Sequence, residues 1–312
     1  MSPPAPRTSV SQPLFLTFNG RRLFALQILP TGPCTRAVLY LPPFAEEMNR
    51  CRAHVAALAR TLASTGTRTL LLDHFGSGES DGLSTEADWA LWRADARSAA
   101  QWLAQDAGRP VTVWGMRTGA LLAADVVAEI AAEVASQGAT EPAAKLPTQA
   151  ALAESLPRPT GAPWPIDRLL FWQPVLDGNQ FLNQYLRLRI ASQLVHGAER
   201  ETTAAIQQRL AAGEVIEVAG YPLAGLLFNG LGQRRMADFK ALASLPIDWI
   251  EVAAQADADV SPASARLIDA LRAAGGQVTA ATAAGPMFWQ LAGNQHTDAL
   301  QHTTATVLGA AA

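Results

Sequence analysis

Hydrophobic and polar positions divide the chain into short apolar runs and longer segments of helical periodicity. Near the start, residues 14–18 and 22–29 flank Asn19-Gly20, a dipeptide that tolerates the positive φ angles of a tight hairpin turn. Runs without polar alternation are typical of strands buried on both faces of a parallel sheet. The pattern therefore predicts an α/β fold, a doubly wound and mostly parallel sheet with an N-terminal antiparallel hairpin. The six predicted inner strands are residues 37–41, 69–73, 111–114, 169–172, 247–252 and 278–280.

Three segments depart from this alternation. Residues 1–12 are rich in proline and serine, and we expect a disordered tail. Residues 137–165 are rich in alanine and proline without periodicity, which predicts a loosely ordered insert. Residues 177–240 have helical patterning with one doubtful strand at 215–218, which predicts a helical cap over the sheet. The expected organisation is a single domain over residues 13–312 that carries this insert and this cap.

Composition excludes several classes of partner. The net charge is −3, and no run of basic residues could follow a phosphate backbone, so nucleic acid is not an expected partner. No stretch has the roughly 18 to 20 apolar residues that span a bilayer. Cys34 and Cys51 are too few for a disulfide framework or a thiolate metal site. We therefore expect a bacterial cytoplasmic protein with reduced thiols, and nothing in the sequence implies a cofactor or a metal.

Two motifs lie between a predicted strand and a predicted helix. Residues 73–82 match D-x-x-G-x-G-x-S-x-G, a loop of many α/β-hydrolases whose glycines allow a tight path and whose role is structural. His74 falls at a variable position of this loop, which favours an ordinary loop histidine. Residues 115–119, G-M-R-T-G, match the nucleophile elbow G-x-S-x-G. The chain thus resembles the α/β-hydrolases, and that resemblance predicts their fold.

Arg117 stands where the elbow of a serine hydrolase carries its serine. A guanidinium is protonated at any physiological pH, so it cannot attack a carbonyl and form an acyl intermediate. The hydroxyl of Thr118 is a poor substitute, because it is expected to turn into the first helical turn. The main-chain N–H of Thr118 is still a candidate oxyanion donor. The second donor would be Phe44 or Ala45, because the prolines at 42–43 have no N–H.

The other positions of the triad are also altered. Asp257 or Asp259 follows the strand after which the family places its acid. After the last predicted strand, residues 284–289 contain no histidine to serve as base. His296 and His302 come later, inside a predicted closing helix, where histidines are more often surface or core residues than catalytic bases.

An arginine beside a helix N-terminus requires an anion, because the peptide dipoles already make that position positive. Glu46 or Glu47 in the loop that faces the elbow is the internal candidate. A ligand carboxylate or phosphate is the other candidate. Of the two, the sequence favours the internal ion pair.

Together these motifs resemble one particular family, the second type of exosortase A system-associated hydrolases. The likeness extends over about residues 14–306, apart from the insert. It implies an association with exopolysaccharide synthesis and PEP-CTERM protein sorting in Gram-negative bacteria, and it implies no particular substrate. The runs that carry it are residues 42–49 (PPFAEEMN), 73–82, 115–120 (GMRTGA), 172–178 (WQPVLDG) and 219–221 (AGY).

Three hypotheses of function follow. In the first, the protein binds a small acidic or acylated metabolite of polysaccharide assembly. Arg117 would then be the anion anchor, oriented by Glu46, with Phe44 and Thr118 as amide donors and Asn49 as a further binding residue.

In the second hypothesis the protein is a hydrolase or acyl transferase in which a carboxylate activates water. The candidate catalytic residues are Glu46, Glu47 and Asp259, with His296 as a further candidate base. In the third it is a scaffold that docks proteins of the exosortase or exopolysaccharide locus through the cap, where Arg187, Arg189, Arg234 and Arg235 supply positive charge.

Overall fold

An eight-stranded sheet forms the centre of the molecule in the computed structural model, which describes residues 9–138, 165–196, 201–255, 257–293 and 295–309. The strand order is β1-β2-β4-β3-β5-β6-β9-β10. β1, β2 and β4 pair antiparallel, and all other neighbours pair parallel. The strands are β1 (Ser9–Phe18), β2 (Arg21–Pro30), β3 (Arg36–Leu41), β4 (Thr67–Leu72), β5 (Val111–Met116), β6 (Ile166–Trp172), β9 (Ile247–Ala253) and β10 (Val278–Ala284).

Helices cover both faces of the sheet. One apolar cluster joins α1 and α8 to one face, and a larger cluster joins α2, α3 and α7 to the other. The sequence prediction of a doubly wound, mostly parallel sheet is confirmed, and the architecture is that of the α/β-hydrolase fold. The helices are α1 (Glu46–Ala63), α2 (Trp89–Ala107), α3 (Thr118–Gly138), α4 (Gly178–His196), α5 (Thr203–Ala211), α6 (Gly225–Gly232), α7 (Pro262–Ala273) and α8 (Asp298–Val307).

The predicted hairpin opens the sheet. Asn19 and Gly20 have φ angles of 51° and 78°, as a type I′ turn requires. β1 begins at Ser9, so the expected disordered tail is wrong for residues 9–12, which pair with residues 27–30. This pairing supplies the backbone hydrogen bonds that a proline-rich composition alone does not predict.

The predicted cap segment, residues 177–240, contains α4, α5 and α6 together with a small antiparallel sheet of β7 (Val215–Val218) and β8 (Tyr221–Ala224). The doubtful strand is therefore real, and its partner β8 was not predicted because Pro222 interrupts the run. The predicted insert lies outside the described residues, apart from Pro165 and the last residues of α3. No helix in the described part of the chain is long and apolar enough to cross a membrane.

Candidate functional site

The turn from β5 into α3 has the backbone geometry of a nucleophile elbow. Arg117 has a φ of 54°, a left-handed conformation that costs a residue with a side chain roughly 1–2 kcal/mol. A Cβ at Gly115 would lie 2.4 Å from the Cα of Ala120, and one at Gly119 would lie 2.1 Å from the carbonyl oxygen of Leu41. Both glycines are therefore required by close packing, and the elbow is retained although its serine is absent.

The W-Q-P-V run holds the apex in this conformation. The Arg117 amide donates to the Trp172 carbonyl at 3.0 Å, and the Val175 amide donates to the Arg117 carbonyl at 3.1 Å. Gln173 has a φ of 42°, and its side-chain oxygen accepts from the Val252 amide at 2.8 Å. The run therefore connects the elbow, β6 and β9.

The Arg117 side chain is closed in by an acid and two rings. Its Nε lies 3.1 Å from Glu47 Oε2, and its Nη2 lies 3.2 Å from Glu47 Oε1. The guanidinium carbon lies 5.9 Å from the ring centre of Phe181 and 5.5 Å from that of Trp289, within cation–π range. The two charged side chains are only 14% and 17% exposed. The predicted internal ion pair is thus present, and Glu47 is its acid.

Burial raises the pKa of Glu47, although the neighbouring Arg117 guanidinium acts in the opposite direction. The ion pair therefore does not fully offset the desolvation of the carboxylate. A carboxyl group in this state is a better proton acceptor than an exposed glutamate.

Glu46 does not contact Arg117, so the hypothesis that it orients the guanidinium is wrong. Adjacent residues of a helix point in different directions, and Glu46 and Glu47 are adjacent in the first turn of α1. Glu46 instead accepts from the Tyr221 hydroxyl at 2.6 Å and from Arg50 Nε at 3.0 Å. These two contacts lower the pKa of Glu46, and the Tyr221 hydrogen bond contributes most.

Tyr221 links the predicted cap segment to α1. The turn between β7 and β8 has positive φ angles at Ala219 and Gly220, 51° and 84°, which places Tyr221 beside α1. Besides its bond to Glu46, the Tyr221 hydroxyl accepts from Asn49 Nδ2 at 2.7 Å. The A-G-Y motif therefore has a defined structural role, which is to present this hydroxyl.

The amides predicted as candidate oxyanion donors have no main-chain partners in the described residues. Within the described residues, the amides of Phe44, Ala45 and Thr118 donate to no main-chain carbonyl. Phe44 is buried, and its ring lies 5.1 Å from that of Tyr185. Thr118 is also buried, as expected for the first residue of α3.

The predicted acid and base positions are not brought to the elbow by any contact in the described residues. Asp257 and Asp259 are exposed beyond the end of β9. His296 is exposed and precedes α8, so its predicted helical position is wrong, whereas His302 is exposed within that helix. The loop after β10, where the family carries its histidine, instead places Trp289 against Arg117.

A cavity of about 260 Å³ opens beside the Phe44–Ala45 backbone. Its floor includes His74, which stacks on Trp92 with ring centres 4.6 Å apart and an interplanar angle of 18°. Burial lowers the pKa of His74 to about 4, so this histidine is neutral near pH 7. His74 lies in the loop as predicted, but it is buried there, which no signal in the sequence indicates. Other lining residues include Met48, Asn49, Ser84, Tyr221 and Leu227.

The glycine-rich loop has the structural role expected of it. Asp73 Oδ2 accepts from Arg52 Nη2 at 2.9 Å and from the Glu79 amide at 3.1 Å. A Cβ at Gly78 would lie 1.9 Å from the same oxygen, so only glycine allows this approach.

Several arginines of the predicted cap segment are engaged inside the chain. Arg189 pairs with Glu201 at 2.6 Å, Arg234 with Asp125 at 3.0 Å, and Arg235 with Asp177 at 3.3 Å. Asp125 is buried on α3, so part of this charge holds the segment to the sheet domain. Within the described residues, no group of three histidine, cysteine or acidic side chains is placed to hold a metal ion.

Comparison with known proteins agrees with this architecture. A family model described as serine aminopeptidase, S33, matches residues 35–170. No curated protein matches the chain. Est1E from Butyrivibrio proteoclasticus with bound ferulic acid aligns at 15% identity with a TM-score of 0.58, covering 95% of this chain and 97% of that chain.

Two further structures align over similar lengths. DcsB in complex with its substrate analogue aligns at 15% identity with a TM-score of 0.58, covering 96% and 99% of the two chains. An esterase from Pyrococcus furiosus aligns at 11% identity with a TM-score of 0.57, covering 96% and 89%. The chain has the α/β-hydrolase fold. At these identities the likeness shows the fold alone.

Proposed function

We propose that the protein binds a small acylated molecule in the cavity beside the elbow and does not form an acyl-enzyme with it. The observation that carries this proposal is the apex itself. Arg117 occupies the position of the nucleophile and is closed in by Glu47, Phe181 and Trp289. A guanidinium cannot attack a carbonyl, and the elbow backbone with its adjacent candidate amide donors supports binding at this place.

The cavity favours an acyl group over a free anion. Its walls are mostly apolar, with Phe44, Met48, Trp92 and Leu227 among them, and its volume of about 260 Å³ suits a small group. The Arg117 guanidinium already bonds Glu47, so a ligand carboxylate would have to displace an internal partner. Of the acidic and acylated ligands that the sequence left open, we therefore favour the acylated one.

The resemblance to exosortase-associated hydrolases suggests where such a ligand arises. We propose an acylated intermediate of exopolysaccharide assembly, bound in the bacterial cytoplasm. Degeneration of the triad at both the serine and the histidine positions supports binding without turnover. Proteins of the exosortase locus are proposed partners on the same basis.

A pair of adjacent tryptophan substitutions tests the cavity. Ser84 lines it and is half-buried, whereas Thr85 beside it is exposed. A panel of short-chain acyl thioesters and aromatic acyl esters would be screened by ligand-observed NMR. We expect Ser84→Trp to abolish binding of the hits and Thr85→Trp to leave it unchanged. Equal binding by both variants, or no hit that binds the wild type, would reject the cavity as the site.

A second candidate function rests on the buried Glu47 carboxylate and its raised pKa. In this candidate Glu47 removes a proton from water, and the water oxygen attacks an ester or thioester carbonyl held by the free amides. The tetrahedral adduct then breaks its bond to the alcohol or thiol, which takes the proton from Glu47 and leaves with the carboxylic acid. General-base catalysis contributes about 10²–10⁴-fold, so Glu47→Gln would reduce turnover by that factor. Glu46→Gln is the matched control and should retain activity. Turnover of the panel that survives Glu47→Gln would exclude this mechanism, and absence of turnover in the wild type would leave the binding function.

A further inference from the structure

A second concave site lies at the opposite edge of the sheet, where β3, β5 and β6 begin. Its volume is about 370 Å³, and three arginines contribute to its walls. β5 spans six residues, so this edge lies roughly 20 Å from the elbow at about 3.3 Å per residue. We name the site the arginine pocket, defined by Thr35, Arg36, Arg109, Thr112, Asp167 and Arg168.

The three guanidinium groups come from separate segments. Arg36 is the first residue of β3, and Arg109 lies in the turn between α2 and β5. Arg168 belongs to β6, where a register shift between Val111 and Thr112 brings it opposite Thr112. Register shifts of this kind re-aim side chains at a sheet edge.

Two of the three arginines are fixed by protein partners. Arg168 makes a bidentate pair with Asp248, at 2.6 and 2.9 Å, and also donates to the Val307 carbonyl at 3.2 Å. Asp248 is buried, so its carboxylate is neutralised mainly by Arg168. Arg109 donates to the Thr35 carbonyl, while its Nε is buried without a hydrogen-bond partner.

Arg36 is the arginine that protein partners hold least firmly. Its guanidinium makes no hydrogen bond or ion pair within the described residues, although it is half-buried. Burial lowers the pKa of Arg36 and the neighbouring Arg168 lowers it further, whereas the carboxylates of Asp167 and Asp248 act in the opposite direction. The three guanidinium groups outnumber these two carboxylates, so a further anion in the concave site would be stabilised.

We infer that the arginine pocket binds the phosphoryl group of a small molecule. One guanidinium fork satisfies a planar carboxylate, whereas guanidinium groups from three segments match the several oxygens of a tetrahedral phosphoryl group. This inference is independent of the function proposed for the elbow cavity, because the two sites share no residue.

Calorimetric titration of the full chain tests the inference, with inorganic phosphate, a hexose 1-phosphate and citrate as probes. We expect Arg36→Gln and Arg109→Gln each to weaken phosphate binding by about tenfold, since each removes a charge-assisted hydrogen bond. Arg266→Gln, on the exposed face of α7, is the matched control and should bind as the wild type does. Arg168 is left intact because its loss would leave Asp248 buried without a partner.

The relative affinities of the three probes, together with one further variant, distinguish the possible ligands of the pocket. Tighter binding of the hexose phosphate than of phosphate would identify a phosphorylated metabolite, and the reverse order would identify the free ion. Citrate binding more tightly than both would overturn the phosphoryl assignment. The inference also fails if no probe binds at millimolar concentration, or if Arg117→Gln abolishes phosphate binding while Arg36→Gln leaves it unchanged.

Discussion

Replacing Arg117 by methionine would leave the Glu47 carboxylate in a largely buried position without its partner. Removing one member of a buried ion pair costs about 3–5 kcal/mol, whereas exposed pairs contribute about 0.2–1 kcal/mol. The two side chains are 14% and 17% exposed, which places the pair nearer the buried case. Methionine preserves packing against Phe181 and Trp289. We therefore expect Arg117→Met to lower the free energy of unfolding by about 3 kcal/mol at pH 7.

Glu47→Gln should behave differently, because burial already raises the pKa of Glu47 and so favours its neutral form. The variant also leaves the largely buried Arg117 guanidinium without its anion, so we expect a loss of about 1–2 kcal/mol, smaller than that of Arg117→Met. The double variant, Arg117→Met with Glu47→Gln, should recover most of the loss of the single arginine variant. Urea denaturation of the four proteins gives a double-mutant cycle with an expected coupling of about 3 kcal/mol.

The pH dependence follows from the direction of the shift. A carboxyl whose folded pKa lies above its ordinary value of 4.5 binds more protons in the folded state, so its contribution to stability falls as pH rises above 4.5. Loss of Arg117 raises the pKa of Glu47 further, so it widens the pH range over which this contribution to stability falls. The loss of stability in Arg117→Met, relative to the wild type, should therefore shrink as pH is lowered from 7 towards 4.5. Arg272→Met is the control, because its pair with Asp269 is exposed. If both arginine variants lose equally little stability at every pH, our account of the elbow pair is refuted.

Three further predictions concern the surroundings of the elbow. Tyr221→Phe should cost about 1 kcal/mol, raise the pKa of Glu46 and speed amide exchange in residues 215–224, and unchanged exchange would contradict the link to α1. The NMR titration of His74 should have a midpoint near 4. Because its folded pKa lies below 6.5, its contribution to the free energy of unfolding is complete above pH 6.5 and is lost as pH falls towards 4. His74→Phe should remove that decline, and a wild type equally stable across this range would contradict it. A fluorophosphonate probe should label neither the wild type nor Arg117→Ser, because Trp289 stands where a base is needed, and labelling of the serine variant would show that a base is present.

The sheet was predictable because its signals are local. Buried parallel strands need continuous apolar runs, and Asn19-Gly20 specifies its turn through the φ angles it tolerates. The strand β8 escaped prediction because Pro222 is unusual within a strand, and it is tolerated here in a two-stranded sheet with open edges. The start of β1 at Ser9 depends on pairing with β2, which composition does not report.

One part of the candidate site, the charge partner of Arg117, was predictable from electrostatics. An arginine at the apex needs an anion, and the sequence favoured an internal partner, Glu46 or Glu47, over a ligand anion. Which of the two it is depends on the rotation of α1 about its axis, which only the packed structure fixes. The ring of Trp289 over Arg117 and the burial of His74 arise from contacts distant in sequence, so no local pattern could have indicated them.

The left-handed backbone at Arg117 has an evolutionary consequence. Its conformation is imposed by Gly115, Gly119 and the hydrogen bonds to Trp172 and Val175, none of which involves the Arg117 side chain. The turn therefore imposes this left-handed backbone on whichever residue stands at its apex, with similar strain for any unbranched side chain. A lineage can exchange the apex residue, and lose or acquire a nucleophile, through one codon while the chain keeps its path.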